Sequence, residues 1–129
     1  MKQASITNKR KEQFLRNLKF NYDKKNDLLY IYNDKMRVYS NVIIGDFHIE
    51  FTKDKKIAGI EVLRASEILE EYQISKGVLE NIEEASLKIV SRNESLIIFI
   101  ILKGLKEEKS AAITMNSLDS SIMKALASA

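Results

Sequence analysis

Seven consecutive apolar residues, Leu96-Ile97-Ile98-Phe99-Ile100-Ile101-Leu102, interrupt a chain that is otherwise densely charged. A helix needs about 20 apolar residues to cross a bilayer, so a run of this length is not a membrane span. Four of the seven positions are Ile, whose branched Cβ suits a pleated strand, and Phe adds to that preference. The run reads as a strand covered on both faces. Two arrangements satisfy it: a central strand buried within the chain, or a strand whose second face meets another subunit. Left in water it would invite aggregation.

The length of 129 residues fits one domain. With 45% hydrophobic and 30% charged residues, the composition is that of a folded globular chain. Zero prolines and four glycines leave no flexible linker. Residues 1–16 read as a basic amino-terminal arm and residues 17–129 as a single domain. Alternation then begins: Leu18, Phe20 and Tyr22 on one face, Lys19, Asn21 and Asp23 on the other. Further extended segments follow at Leu28–Tyr32, Val38–Ile44, Phe47–Thr52 and Ile57–Leu63, joined by polar turns such as Gly45-Asp46. Consecutive strands with short connections predict an antiparallel meander.

Ser66 fits a helix N-cap, with Glu67, Glu70 and Glu71 in the early turns where the helix dipole favours acids. Ser75 fits the cap of a second short helix with Val78, Leu79 and Ile82 turned inward. Strands resume at Leu87–Ser91, Leu96–Leu102 and Ser110–Met115, with turns at Arg92-Asn93-Glu94 and Lys106-Glu107-Glu108. Leu118, Ile122, Ala125 and Leu126 at helical spacing predict a final helix from about Ser117. The expected class is α+β: an antiparallel β-meander sheet with short helices and a C-terminal helix packed on one face.

Absence of cysteine removes disulfides, thiolate metal sites and cysteine nucleophiles. With no apolar run near Met1, no secretory signal is expected, and a cytoplasmic setting is the natural expectation. The net charge of +3 is unevenly spread. Residues 1–25 hold eight Lys/Arg against Glu12 and Asp23, whereas residues 65–84 hold six Glu against Lys76. Two solvated faces explain this; so does attraction of nucleic acid, or of a neighbouring chain's acidic segment.

Chemistry is sparse. The only histidine, His48, shares a strand face with Asp46 and Glu50, an oxygen and nitrogen set of the kind that holds a divalent metal. One histidine among alternating acids is also a common solvated strand, and no metal or cofactor is expected. No Gly-x-Ser-x-Gly elbow or glycine-rich phosphate loop occurs, so no residue is assigned a catalytic role and an enzyme is not expected. Lys9, Arg10, Lys11, Arg16 and Lys19 are candidate phosphate contacts, with Tyr30, Tyr32 and Tyr39 interleaved with Lys35 and Arg37 as a stacking surface. No recognition-module signature accompanies them.

Two blocks carry a resemblance. Tyr22-Asp23 with Asp27, Leu29, Tyr30 and Ile31 forms the first; Gly59, Ile60, Glu61, Ala65 and Ser66 form the second. Over roughly residues 20–66 the chain resembles the domain of unknown function 2283 family. Leu28 departs from the Ala or Ser expected there. The resemblance implies a small β-rich fold and transfers no catalytic residues. Structural readings stand beside it: Asp23 and Asp27 bracket a turn, Gly59 marks a bulge or close backbone approach, and Ser66 caps a helix.

Two function classes follow. One is a non-enzymatic interaction module acting through protein contacts or oligomerisation. The other is a basic-arm nucleic-acid-binding regulatory protein, antitoxin-like. Homodimerisation is expected because Ile97, Phe99 and Ile101, the candidate interface residues, alternate against Ile98, Ile100 and Leu102, and one of the two sets lies on the uncovered face.

Overall fold

Short apolar–polar alternations broken by polar turns favour strands that each bury one face, and strands dominate the molecule. The computed structural model describes residues 10–92 and 95–115. Its strands are β1 (Lys11–Leu15), β2 (Lys19–Asp23), β3 (Leu28–Tyr32), β4 (Ser40–Ile44), β5 (Phe47–Phe51) and β6 (Ile57–Val62), followed by β7 (Ile82–Arg92), β8 (Ser95–Gly104) and β9 (Glu107–Met115). Two short helices, α1 (Ala65–Glu70) and α2 (Lys76–Glu80), lie between β6 and β7. All pairings are antiparallel, in a four-stranded sheet of order β1-β7-β8-β9 and a five-stranded sheet of order β2-β3-β6-β5-β4.

The simple meander expected from spacing is therefore corrected: β3 pairs with β6, not with β4. Burial explains the choice. β6 is buried at five of its six positions and takes a central place, setting Ile60 against Ile31 and Val62 against Leu29. β4, exposed at Ser40, Asn41 and Ile43, goes to the edge. The connection 33–39 rounds the ends of the strands between them, with Asn33 N–H donating to Ala58 (2.8 Å) and Tyr39 N–H to Phe51 (2.7 Å).

Other expectations are corrected as well. Part of the expected arm is β1, an edge strand paired with β7 from Lys11↔Ser91 to Leu15↔Leu87. α1 starts at Ala65, with Arg64 at the N-cap in a left-handed conformation (φ 50) and no side-chain cap of its own. Ser66 lies inside the helix. Ser75 does cap α2, its Oγ accepting from Val78 N–H at 3.2 Å, but Ile82 begins β7 and is not part of that helix. The β8–β9 turn is Leu105-Lys106, both at positive φ (53 and 63), one step earlier than expected. Neither residue type advertises such a turn. Lys9 and the helix expected from Ser117 lie outside the described residues.

One hydrophobic core joins both sheets. Leu29, Ile31 and Ile60 of the five-stranded sheet cluster with Leu87, Ile98 and Ile100 of the four-stranded sheet, and Leu69, Ile74 and Leu79 close the helical side. Each sheet is thus covered mainly by the other. The Gln13 side chain also ties the layers, its amide exchanging two 3.4 Å hydrogen bonds with the Ile57 backbone. Among the described residues, no helix is long and apolar enough to cross a membrane.

Candidate interaction surface

Alternation along β8 buries Leu96, Ile98, Ile100 and Leu102 in the core and turns Ile97, Phe99 and Ile101 to the opposite face, where they are half-buried. The register carries that face across the sheet. Ile97 stands beside Val90 and Thr114, Phe99 beside Lys88 and Ala112, and Ile101 beside Ser86 and Ser110. On β1, Gln13 and Leu15 point inward, leaving Glu12 and Phe14 outward, with Phe14 47% exposed. A strip of apolar side chains therefore runs over the outside of the four-stranded sheet.

Cations border it. The Arg16 guanidinium lies 4.5 Å from the Phe14 ring centroid, and the Lys88 ammonium 5.7 Å from that of Phe99. Such contacts hold a cation against an apolar surface without burying its charge. Glu12 accepts from Lys88 (3.2 Å) and Arg10 (3.3 Å), and these partners, Lys88 first, hold its carboxyl below the usual carboxylate range. At one end, a groove of about 340 Å³ is lined by Arg10, Val90, Arg92, Ser95, Ile97 and Phe99. At the other end Glu84 and Glu108 flank Lys103. The face is apolar in the middle, basic at one end and acid-rich at the other.

Two of the candidate nucleic-acid residues, Arg10 and Arg16, thus share a face with all three candidate interface residues. Lys11 takes the opposite parity on β1, and Lys19 begins β2 in the other sheet. Phe14, Lys88, Val90 and Arg92 were not expected here. The alternation of Glu84, Ser86, Lys88, Val90 and Arg92 against Ala85, Leu87, Ile89 and Ser91 is the signal that identifies the β7 members. Part of the basic stretch meets the acidic segment within the chain, where Lys24 pairs with Glu80 at 3.1 Å.

The outer face of the five-stranded sheet is different. Tyr30 and Tyr32 stack on each other (centroids 4.4 Å, planes 16° apart), and the Tyr30 hydroxyl donates to Glu50 at 2.5 Å. Burial first, then Glu50, pushes the Tyr30 hydroxyl's pKa up. Gly59 makes room for this arrangement: a Cβ there would lie 2.9 Å from Glu50 Oε1, the Ile31 carbonyl oxygen and Tyr32 Cβ. His48 Nδ1 lies 3.4 Å from Glu61, a further residue of the signature. Asp46 turns instead to Arg64 (2.7 Å), which lowers its pKa. The candidate trio Asp46, His48 and Glu50 is therefore split among three partners, and no metal-competent group of three such residues occurs among the described residues. Glu50 and Glu61 beside the tyrosines oppose a polyanion on this face.

The remaining signature residues form a latch. The Tyr22 hydroxyl donates to Asp27 Oδ1 at 2.6 Å. Ser66 donates twice to the same carboxylate, from N–H at 3.0 Å and from Oγ at 2.7 Å, and Ala65 N–H reaches the Asp27 carbonyl at 3.0 Å. Asp27 supplies from the β2–β3 hairpin the cap that Arg64 does not give α1. Asp23 keeps the expected turn role, accepting from Asn26 N–H and side chain. No curated protein and no solved structure gives a significant match. Residues 19–66, which hold the whole five-stranded sheet, the latch and the start of α1, match the model of the family described as Protein of unknown function (DUF2283).

Proposed function

We propose that this chain is a non-enzymatic interaction module that acts as a homodimer through the outer face of its four-stranded sheet. The observation that carries the reading is the strip of Ile97, Phe99 and Ile101, only half-buried on the face away from the core. Apolar area of this kind gains about 25 cal/mol per Å² when covered. Charge argues for a second copy. A two-fold axis in the plane of the sheet and across its strands lays the Arg10/Arg92 end of one copy over the Glu84/Glu108 end of the other. The same axis sets the apolar middle against itself.

Sedimentation is the test. The wild-type chain is expected to be a dimer at micromolar concentration, and Ile97→Glu with Phe99→Glu a folded monomer, since neither side chain belongs to the core. Unchanged circular dichroism in the double variant separates lost association from lost fold. A wild-type monomer at high micromolar concentration would sink the reading.

An antitoxin-like nucleic-acid binder is the second reading, supported by Arg10, Arg16, Lys88 and Arg92 around Phe14 and Phe99 on one face. Mixed oligonucleotides should then bind at low salt with affinity falling steeply as salt rises, and Arg10→Glu with Arg16→Glu should weaken it. Absence of low-salt binding removes this reading.

A further inference from the structure

The five-stranded sheet ends on β4, and this edge differs from the other three. β1 carries Lys11 and Glu12, β2 carries Lys19 and Asp23, and β9 carries Glu107, Glu108 and Lys109. β4, Ser40-Asn41-Val42-Ile43-Ile44, carries no charge. Charges, prolines and bulges are what keep edge strands from pairing with another chain. β4 has none of them. Its register with β5 runs unbroken from Ser40↔Phe51 to Ile44↔Phe47, and the nearby irregularity lies on the β5–β6 side.

Side chains along this edge point the same way. Tyr39 is 68% exposed, Ile43 63% and Val38 43%. Where the chain enters β4, a cavity of about 510 Å³ is lined by Arg37, Val38, Tyr39, Thr52, Lys53 and Asp54. Lys35, Arg37, Lys53, Lys55 and Lys56 lie around that end in sequence, against Asp34 and Asp54. Asp54 is already engaged by the Thr52 hydroxyl.

We propose that β4 accepts an extended peptide segment of a partner protein as a further strand of the five-stranded sheet. The segment is apolar where it meets Tyr39 and Ile43 and acidic at the end that reaches Arg37 and Lys53. Backbone hydrogen bonds supply the affinity, and the cavity beside Val38 and Tyr39 supplies selectivity. Charge favours this occupant over a second β4, whose nearest acid, Asp46 just beyond Ile44, is already held by Arg64 at 2.7 Å. The edge belongs to the other sheet from the dimer face, so this inference stands apart from the proposed homodimer.

The probe is a fluorescent synthetic peptide of alternating valine and threonine ending in glutamates, titrated against the full-length chain by anisotropy. Two counterparts accompany it, one ending in lysines and one N-methylated on alternate amides. The glutamate peptide should bind about tenfold tighter than the lysine peptide, and N-methylation should remove binding. Ile43→Lys, at an exposed position, should cost about tenfold or more, and Arg37→Glu should reverse the preference for the acidic end. No binding of the glutamate peptide at millimolar concentration, or equal binding of its N-methylated form, would overturn the proposal. So would a drop in the chain's own size on Ile43→Lys, which assigns the edge to a second copy.

Discussion

Replacing Asp27 by alanine is expected to destabilise the fold by about 3 kcal/mol, read as a lower urea midpoint at unchanged slope. Three hydrogen bonds to one carboxylate disappear together, from the Tyr22 hydroxyl, the Ser66 hydroxyl and the Ser66 N–H. Loss of a helix cap alone costs about 1 kcal/mol, and charge-assisted bonds add to it. Asp27 also sits at φ 53, a left-handed conformation that aspartate tolerates better than alanine. Asp27→Asn should lose roughly half as much, since its amide oxygen still accepts. An unaltered midpoint in Asp27→Ala would refute the latch.

The same carboxylate gives a pH signature. Burial pushes its pKa up, but hydrogen bonds from Tyr22 and Ser66 outweigh this and hold it below the ordinary value. Tyr22 responds in the opposite direction: burial first, then Asp27, raises its hydroxyl to about 12, so it stays a donor. A carboxyl with a folded pKa below its unfolded value of about 4 stabilises the fold above that pH. The stabilisation is lost as pH falls through the folded value. Wild-type stability should thus drop below about pH 4, with a shallower drop in Asp27→Asn.

Gly104→Ala should cost about 3 kcal/mol, near the upper end for overpacking. A Cβ there would lie 2.5 Å from the Asn81 carbonyl oxygen and 3.2 Å from its carbon. Both are backbone atoms, so no rotamer change relieves the contact. Gly104 faces Ile82 across the irregular start of the β7–β8 ladder and pairs with Glu107 on its other side. A shift in β7 therefore reaches the middle of the four-stranded sheet. Thermal unfolding should move down by roughly 10 °C. A fall under about 3 °C would mean that the chain around Asn81 yields freely.

What could be read from sequence follows the range of the interaction. The two sets of β8 side chains were legible because a strand alternates its faces whatever its residues, although the sheet packed against it decides which set is buried. β2, β3 and β5 were legible for the same reason. β1 was not: Lys11 and Glu12 beside Phe14 and Leu15 look like a solvated arm until β7 is beside them. Hence Arg10 and Arg16 stand out in the sequence as cations, and Ile97 and Phe99 as an apolar pair, but their meeting on one face does not. The β3–β6 pairing depends on relative burial, which spacing does not encode. Asp27 reaches Ser66 across 39 positions, so its capping role left no local trace, and Ser66 looked like the cap itself.

The family match ends where the five-stranded sheet and its latch end, and β1 and β7–β9 lie outside it. That division locates the problem each half of the chain solves. The matched segment brings a sheet with one apolar side, Leu29, Ile31, Ile49 and Ile60, that no residue within it covers by a second sheet. The unmatched strands supply the missing layer, and β1 and β7, on either side of the matched segment in sequence, close around it as direct neighbours. Yet a covering layer has two sides. By shielding the matched sheet, β8 turns Ile97, Phe99 and Ile101 to its far side, so the layer that covers one apolar face carries a second apolar strip on its own outer face.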